Sequence, residues 1–469
     1  MNTAFTPSRR GFLRSMVGGS TLFPALISQL LAEEDLRSGS VDPLSPRPSH
    51  FAPKAKRVIF LYMSGGVSHV DSWDPKPRLF ADHGKTISVD EFQGRKGDFK
   101  MFATRPQWNF SRHGRCGTEV SSLFPHMAGC VDDLCVIRSM KSDHTNHYEA
   151  TLGIHTGSFT FARPSLGSWV SYGLGTENKN LPSYIVIAPK TPYAGGQVWA
   201  SDFLPGAHQG TLVVPGTEPV ANIRRRAATG RLQELELAAL ARMNQRHLGP
   251  RAKDPLLDAR MKSFETAFGM QMELPEVFDL SRESDATLQL YGLERGSTQG
   301  FAWQCLVARR LAERGVRFVE LIDVGSSDNW DAHGDMLTHT PLAKNVDRPI
   351  AGLLQDLKMR GMLDDTLVVW TTEFGRTPFN ANADARGREH HHWVFSSWLA
   401  GAGVRAGTVY GESDDHGIHV GRNPVHVHDF HATLLHLMGL DHERLTYRHT
   451  GRDYRLTDVA GEVVRGVLA

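Results

Sequence analysis

Six apolar runs, separated by stretches of helical periodicity, constrain this chain more than any other feature. They are Arg57–Met63 (RVIFLYM), Leu134–Met140 (LCVIRSM), Tyr184–Ala188 (YIVIA), Val316–Ile322 (VRFVELI), Thr366–Thr371 (TLVVWT) and Phe395–Ala400. A strand that is apolar at nearly every position, rather than at every second one, is buried on both faces. Helical spacing fills the intervals. Gly300–Arg314 precedes Val316, an apolar face of Ile350, Leu353, Leu354 and Leu357 precedes Thr366, and Phe430–Met438 follows the last run. Such alternation predicts an α/β fold, with a mostly parallel sheet sandwiched between helices. One segment, about 221–294, breaks the rhythm. It is helix-rich, most clearly over Leu232–Leu240 and Leu256–Phe268, and is read as a helical insertion or cap over the sheet. Arg224–Arg226 within it reads as a solvated helix face.

The remaining organisation follows from the N-terminus and from charge. Residues 1–35 carry the twin-arginine signature Ser8-Arg9-Arg10-Gly11-Phe12-Leu13 ahead of a weakly apolar stretch, Met16–Leu31. This predicts export by the twin-arginine route to the periplasm or cell surface, with membrane attachment only through an uncleaved signal segment. Residues 36–56, rich in Pro and Ser, read as a linker, and 57–469 as the folded domain. A net charge of +1 gives no electrostatic case for nucleic acid. Four cysteines (Cys116, Cys130, Cys135, Cys305) lack zinc-ribbon spacing. A disulfide among the first three and four free thiols are both open.

Three polar clusters lie at or just beyond predicted strand ends, where open α/β sheets hold their ligands. They are SSDNWDAHGD (Ser326–Asp335), TTEFGRTP (Thr371–Pro378) and GREHHHW (Gly387–Trp393). Asp331 and His333, two apart, point the same way in an extended loop and can reach one ion; the alternative is a solvated loop. Glu373 needs a metal or a partner if buried, and Arg376 could be that partner or could hold the oxygens of an ester. Within His390–His392 one or two rings could ligate, because neutral imidazole suits zinc, iron or manganese. Near the first strand, Ser64-Gly65-Gly66 and His69 supply a loop whose glycines let backbone approach a ligand.

FLYMSGGVSHVDSWDPKP, RPSLGSWVSYGLG, NWDAHGD, TTEFGRTP, GREHHH and the tail HDFHATLLHLMGLDHERLTYRHTGRDYRLTDV resemble the exported family called domain of unknown function 1501. That family is similar to the alkaline phosphatase and sulfatase superfamily. The resemblance implies an alkaline-phosphatase-like fold, metal ligands on strand-end loops, and hydrolysis of a phosphate or sulfate ester. Position by position it transfers only in part. Ser64 stands where the first strand of those enzymes ends in a metal-binding Asp. Counting back from Thr156-Gly157 to their nucleophile lands on His147, and Glu373-Phe374 replaces their Asp-His pair. Asp331, His333 and a histidine of His390–His392 resemble the other metal site.

Together these readings give a specific expectation. It is an exported, metal-dependent hydrolase of phosphate or sulfate esters that uses metal-activated water. Asp331, His333, His390, His391 and Glu373 are the expected ligands of a divalent metal, zinc first, with manganese, calcium or magnesium as alternatives. His147, His144 or His69 is the expected general base, and Arg376 the expected ester clamp. Ser64, Gly65, Gly66 and Arg388 are expected on the substrate side; Thr145 or Ser68 could replace the nucleophile from a shifted position. The substrate is a small-molecule or glycan ester. The alternative is a non-catalytic relative with one structural metal that binds a glycan or protein partner.

Overall fold

The computed structural model describes residues 42–221, 223, 229–248 and 255–469. The predicted twin-arginine segment and Arg224–Arg226 lie outside the described residues.

The six apolar runs become strands of one sheet, which three short further strands join: β1 (Arg57–Tyr62), β2 (Leu134–Lys141), β3 (Tyr184–Ile187), β4 (Thr211–Val213), β5 (Phe318–Ile322), β6 (Thr366–Thr371), β7 (Phe395–Ala400), β8 (Thr408–Tyr410) and β9 (Val425–His426), the further ones being β4, β8 and β9. Among the described residues the sheet has nine strands in the order β8-β2-β7-β6-β1-β5-β3-β4, with β9 also paired to β2. Neighbours are parallel throughout except around β7, which runs antiparallel to both β6 and β2. The fold is therefore α/β with a largely parallel central sheet, as the unbroken apolar runs predict.

Alternation along each central strand divides the interior in two. Ile59 and Leu61 of β1, with Val368 and Trp370 of β6, face one core; Val58, Phe60, Leu367 and Val369 face the other. The first core is covered by α6 (Gly300–Glu313) and α7 (His339–Met359), the second by α1 (His147–Thr156), α2 (Leu166–Leu174) and α8 (Val427–Leu437). In the expected insertion, α3 (Gly230–Leu248), α4 (Pro255–Phe278) and α5 (Asp285–Tyr291) form, and Met270, Leu274 and Val277 of α4 join the first core. Residues 42–56, read as a linker, carry no strand or helix but lie against the domain: Arg47 donates to the Tyr172 carbonyl at 2.7 Å and Leu44 is buried. All four cysteines are free thiols; only Cys116 is exposed. No helix among the described residues is long and apolar enough to cross a membrane.

Register decides where chemistry can collect. Tyr62 at the end of β1 is level with Ile322 of β5 and Thr371 of β6. The loops beyond them, carrying Ser64–Gly66, Asp323–Asp331 and Thr372–Arg376, therefore emerge side by side. Because β7 is reversed, its entry rather than its exit reaches this end, Phe395 lying opposite Met140 of β2. That delivers His390, and the exit of β2 leads into α1 and His147.

Candidate metal centre

His147 opens α1, whose start is fixed by Asn146: its side-chain oxygen accepts the Tyr148 N–H at 2.9 Å. Asp331 comes from the loop after β5, and His390 from a two-residue strand paired with Gly375–Arg376. One ligand atom from each of His147, Asp331 and His390 falls within 4.8 Å of the others. His147 Nε2 is 3.4 Å from Asp331 Oδ2, and His390 Nε2 is 3.4 Å from Asp331 Oδ1. His333, 42% exposed, brings its Nε2 to 2.9 Å from Asp331 Oδ1 and 3.0 Å from His390 Nε2.

The opposite nitrogen of each ring is already engaged. His147 Nδ1 faces Glu373 Oε1 at 2.6 Å, His333 Nδ1 faces Glu389 Oε2 at 2.8 Å, and His390 Nδ1 faces the Thr145 carbonyl at 2.7 Å. An acceptor at Nδ1 holds the proton there and leaves the Nε2 lone pair aimed at the common point, the arrangement found around metal-ligating histidines. His147 Nε2 is buried and makes no hydrogen bond, so its lone pair has no other use. Two imidazoles and one carboxylate fit a borderline ion such as zinc, and fit the hard, oxygen-seeking calcium and magnesium poorly.

Charge follows the same geometry. Burial opposes ionisation of Asp331, but the surrounding imidazoles of His147, His333 and His390, with the Arg376 guanidinium, overcome it and hold the carboxyl far below its usual range. Burial likewise works against a charged His147, yet Asp331 and Glu373 raise its pKa; Asp331 also raises that of His333. His390, where burial dominates, is lowered. The pull that Asp331 exerts on these protons is the pull it would exert on a cation.

Several expected residues take other places. Glu373 is buried behind His147, not in the ligand set, and also accepts from the Gly65 N–H at 2.9 Å, Tyr62 at 2.9 Å and Thr372 at 3.0 Å. Arg376 is fully buried: its guanidinium lies 2.7 Å from Asp331 and donates to the carbonyls of Gly65 and Gly66, leaving no face for an ester. Arg388 is buried against Asp71 at 2.7 Å and the carbonyls of Thr104, Arg105 and Thr377, so it binds protein rather than substrate. His391 follows His390 in an extended pair and so projects the other way. It meets the Ile418 carbonyl at 2.6 Å and stacks on His69, whose Nε2 meets the Gly417 carbonyl at 2.9 Å. Burial lowers the pKa of both rings, and neither reaches the centre.

The Ser64-Gly65-Gly66 loop serves close packing of protein on protein. A Cβ on Gly65, at φ +111°, would lie 2.7 Å from the Asp331 nitrogen, and one on Gly66 would lie 2.7 Å from the Phe374 ring. The Ser64 carbonyl accepts from Trp330 N at 3.1 Å. Ser68 is likewise buried and donates to Asp71.

Sequence reasoning missed the walls of the site. The Phe374 ring lies 4.7 Å from that of His147 and 4.8 Å from that of His390. Tyr193 stacks on His147 at 4.3 Å and 8°, its hydroxyl accepting from Asn329 at 3.1 Å. Its place in the loop after YIVIA, another strand end on the same side of the sheet, was the available signal.

A family described as protein of unknown function (DUF1501) matches residues 55–468. No curated protein matches the chain. Among solved structures, the chain is similar to the lipoteichoic acid synthase LtaP from Listeria monocytogenes, with 10% identity and a TM-score of 0.38 over 91% of this chain and 80% of that one. It is also similar to the PsFucS1 sulfatase from Pseudoalteromonas sp., with 13% identity and a TM-score of 0.34 over 89% and 71% of the two chains. For the alkaline phosphatase from the Antarctic bacterium TAB5 the values are 11% and 0.30 over 78% and 97%. At these TM-scores the chemistry has to be read from the site itself.

Proposed function

The chain belongs to the DUF1501 family, and from that premise we propose that it is a metal-dependent hydrolase of phosphate or sulfate esters. The observation that carries this reading is the convergence of Nδ1-anchored imidazoles on Asp331. His147, Asp331 and His390 would hold a divalent ion, zinc by their donor set. Such an ion supplies Lewis acidity toward an ester oxygen and an ionised water at neutral pH.

The chain's own groups supply the rest. His333 is the most exposed ring of the cluster and lies between Asp331 and Glu389. We assign it the proton transfer at Nε2, with Glu389 holding its Nδ1. Tyr193 and Phe374 wall the site and exclude water from one side of His147. Arg376 acts by fixing Asp331 against the Gly65-Gly66 loop. The Arg9-Arg10 signature supports export to the periplasm or cell surface as part of this reading.

A second reading keeps the ion and drops the chemistry: a binder of a glycan or protein partner with one structural metal. The full engagement of Arg376 favours it, since its guanidinium is spent on Asp331 and the Gly65 and Gly66 carbonyls. Elemental analysis of the mature protein beside His390→Ala, followed by aryl phosphate, phosphodiester and sulfate substrates, separates the two. Metal in wild type with turnover of one ester class supports the hydrolase, and metal without turnover supports the binder. No metal above the variant level removes both.

A further inference from the structure

The hydrogen-bond directions behind His147 depend on a buried tyrosine. Tyr62, the last residue of β1, places its hydroxyl 2.9 Å from Glu373 Oε2 and 2.9 Å from Thr151 Oγ1. Thr151 lies four residues after His147 on α1, so both side chains share one helix face. His155, a turn further on, has Nδ1 2.7 Å from the Thr151 carbonyl and Nε2 2.8 Å from Glu320. Both its nitrogens face oxygens of the protein interior.

An ionised carboxylate only accepts, so it dictates the direction of each bond made to it. Glu373 draws on the Gly65 N–H, the hydroxyls of Thr372 and Tyr62, and His147 Nδ1. Leaving a buried carboxylate short of donors is costly. The Thr372 hydroxyl has one hydrogen and a second acceptor, the Met63 carbonyl, at the shorter distance of 2.8 Å. Tyr62 is then the hydroxyl whose hydrogen goes wholly to Glu373, provided something donates to its own oxygen. Thr151 Oγ1 is placed to do so.

We propose that Tyr62, oriented by Thr151, is a positioning residue: its hydroxyl holds the Glu373 carboxylate in place as the acceptor facing His147 Nδ1, and so presents Nε2 of that ring to the metal. The metal half of this statement rests on the function proposed above. The tautomer half does not, and this separates the two experimentally.

The test uses the full chain labelled with 15N-histidine, kept metal-free and at a pH high enough for the His147 ring to be neutral, with His147 assigned from a His147→Gln spectrum. Wild type is expected to show His147 protonated at Nδ1. Tyr62→Phe and the isosteric Thr151→Val should shift that ring toward the other tautomer or a mixture. In a chelator competition, Tyr62→Phe should bind zinc about 10–100-fold more weakly, the range for loss of an outer partner. It should add nothing further in a Glu373→Gln background. An unchanged His147 tautomer in both variants overturns the proposal, as does an equal loss of affinity with and without Glu373. Should Tyr62→Phe not fold, Thr151→Val decides by the same signals. Wild type that binds no metal removes the metal function and leaves the tautomer result to judge Tyr62.

Discussion

The Nε2 atoms of His333 and His390 lie 3.0 Å apart, though only His390 stands within ligand reach of both His147 and Asp331. Two imidazole nitrogens at that distance share either a proton or a cation. The division of labour proposed above therefore predicts unequal variants. His390→Ala should lose bound metal. His333→Ala should keep it and lose turnover by about 10²–10⁴-fold, the range for a missing proton-transfer group. Metal content measured beside kcat decides; loss of metal from His333→Ala makes His333 a ligand instead.

Gly65 is predicted to be irreplaceable while a nearby glycine is not. Gly65→Ala forces a Cβ to 2.7 Å from the Asp331 backbone at a φ of +111°, with strain of about 1–3 kcal/mol. Gly334, between His333 and Asp335, has nothing within 4 Å of an added Cβ. Gly65→Ala should therefore lower both stability and metal affinity, and Gly334→Ala neither, as read by denaturant unfolding and chelator competition.

Arg388 should matter to folding and not to catalysis. Its side chain and that of Asp71 are 0% exposed at 2.7 Å. Removing one partner of a buried pair costs about 3–5 kcal/mol. Arg388→Met is expected to lower unfolding free energy by that order while the remaining folded protein keeps its metal and its KM. A raised KM at unchanged stability would return Arg388 to the substrate.

Asp323 predicts a pH dependence of stability. Burial pushes its carboxyl up to about 7, against hydrogen bonds from Trp330 and Asn345. The unfolded chain releases this proton near pH 4, whereas the folded protein holds it until about 7. Folding thus takes up a proton in that window, and stability falls as pH rises through it, by an amount on the order of 4 kcal/mol. Asp323→Asn, which cannot ionise, should remove this part of the slope. Unfolding free energies of both proteins at pH 4 to 8 test it, and parallel curves would refute the assignment.

The strands were legible because burial on both faces writes itself into the sequence as unbroken apolar runs. The reversal of β7 was not, since Phe395–Ala400 is equally apolar in either direction. At the site, Asp331 and the histidine run could be found from strand-end position, but their partners could not. His390 and His391 differ only in the face of a two-residue strand, and one packs beneath the Ile418 carbonyl while the other meets Asp331. Glu373 was read as a metal ligand or a partner of Arg376, and Arg388 as facing the substrate. Their companions, His147 and Asp71, lie 226 and 317 positions away, beyond any local pattern.

Those separations have a consequence for the protein as a whole. The Thr145 carbonyl that steadies His390 is 245 positions from it, and the strands that bring them together are the reversed β7 and its neighbour β2. An ion held by His147, Asp331 and His390 would tie three remote stretches of chain into one covalently unlinked knot. Its binding energy would then add to the stability of the whole sheet rather than of one loop. Uptake of metal should thus report completed assembly, in the way a clasp closes only on a finished chain.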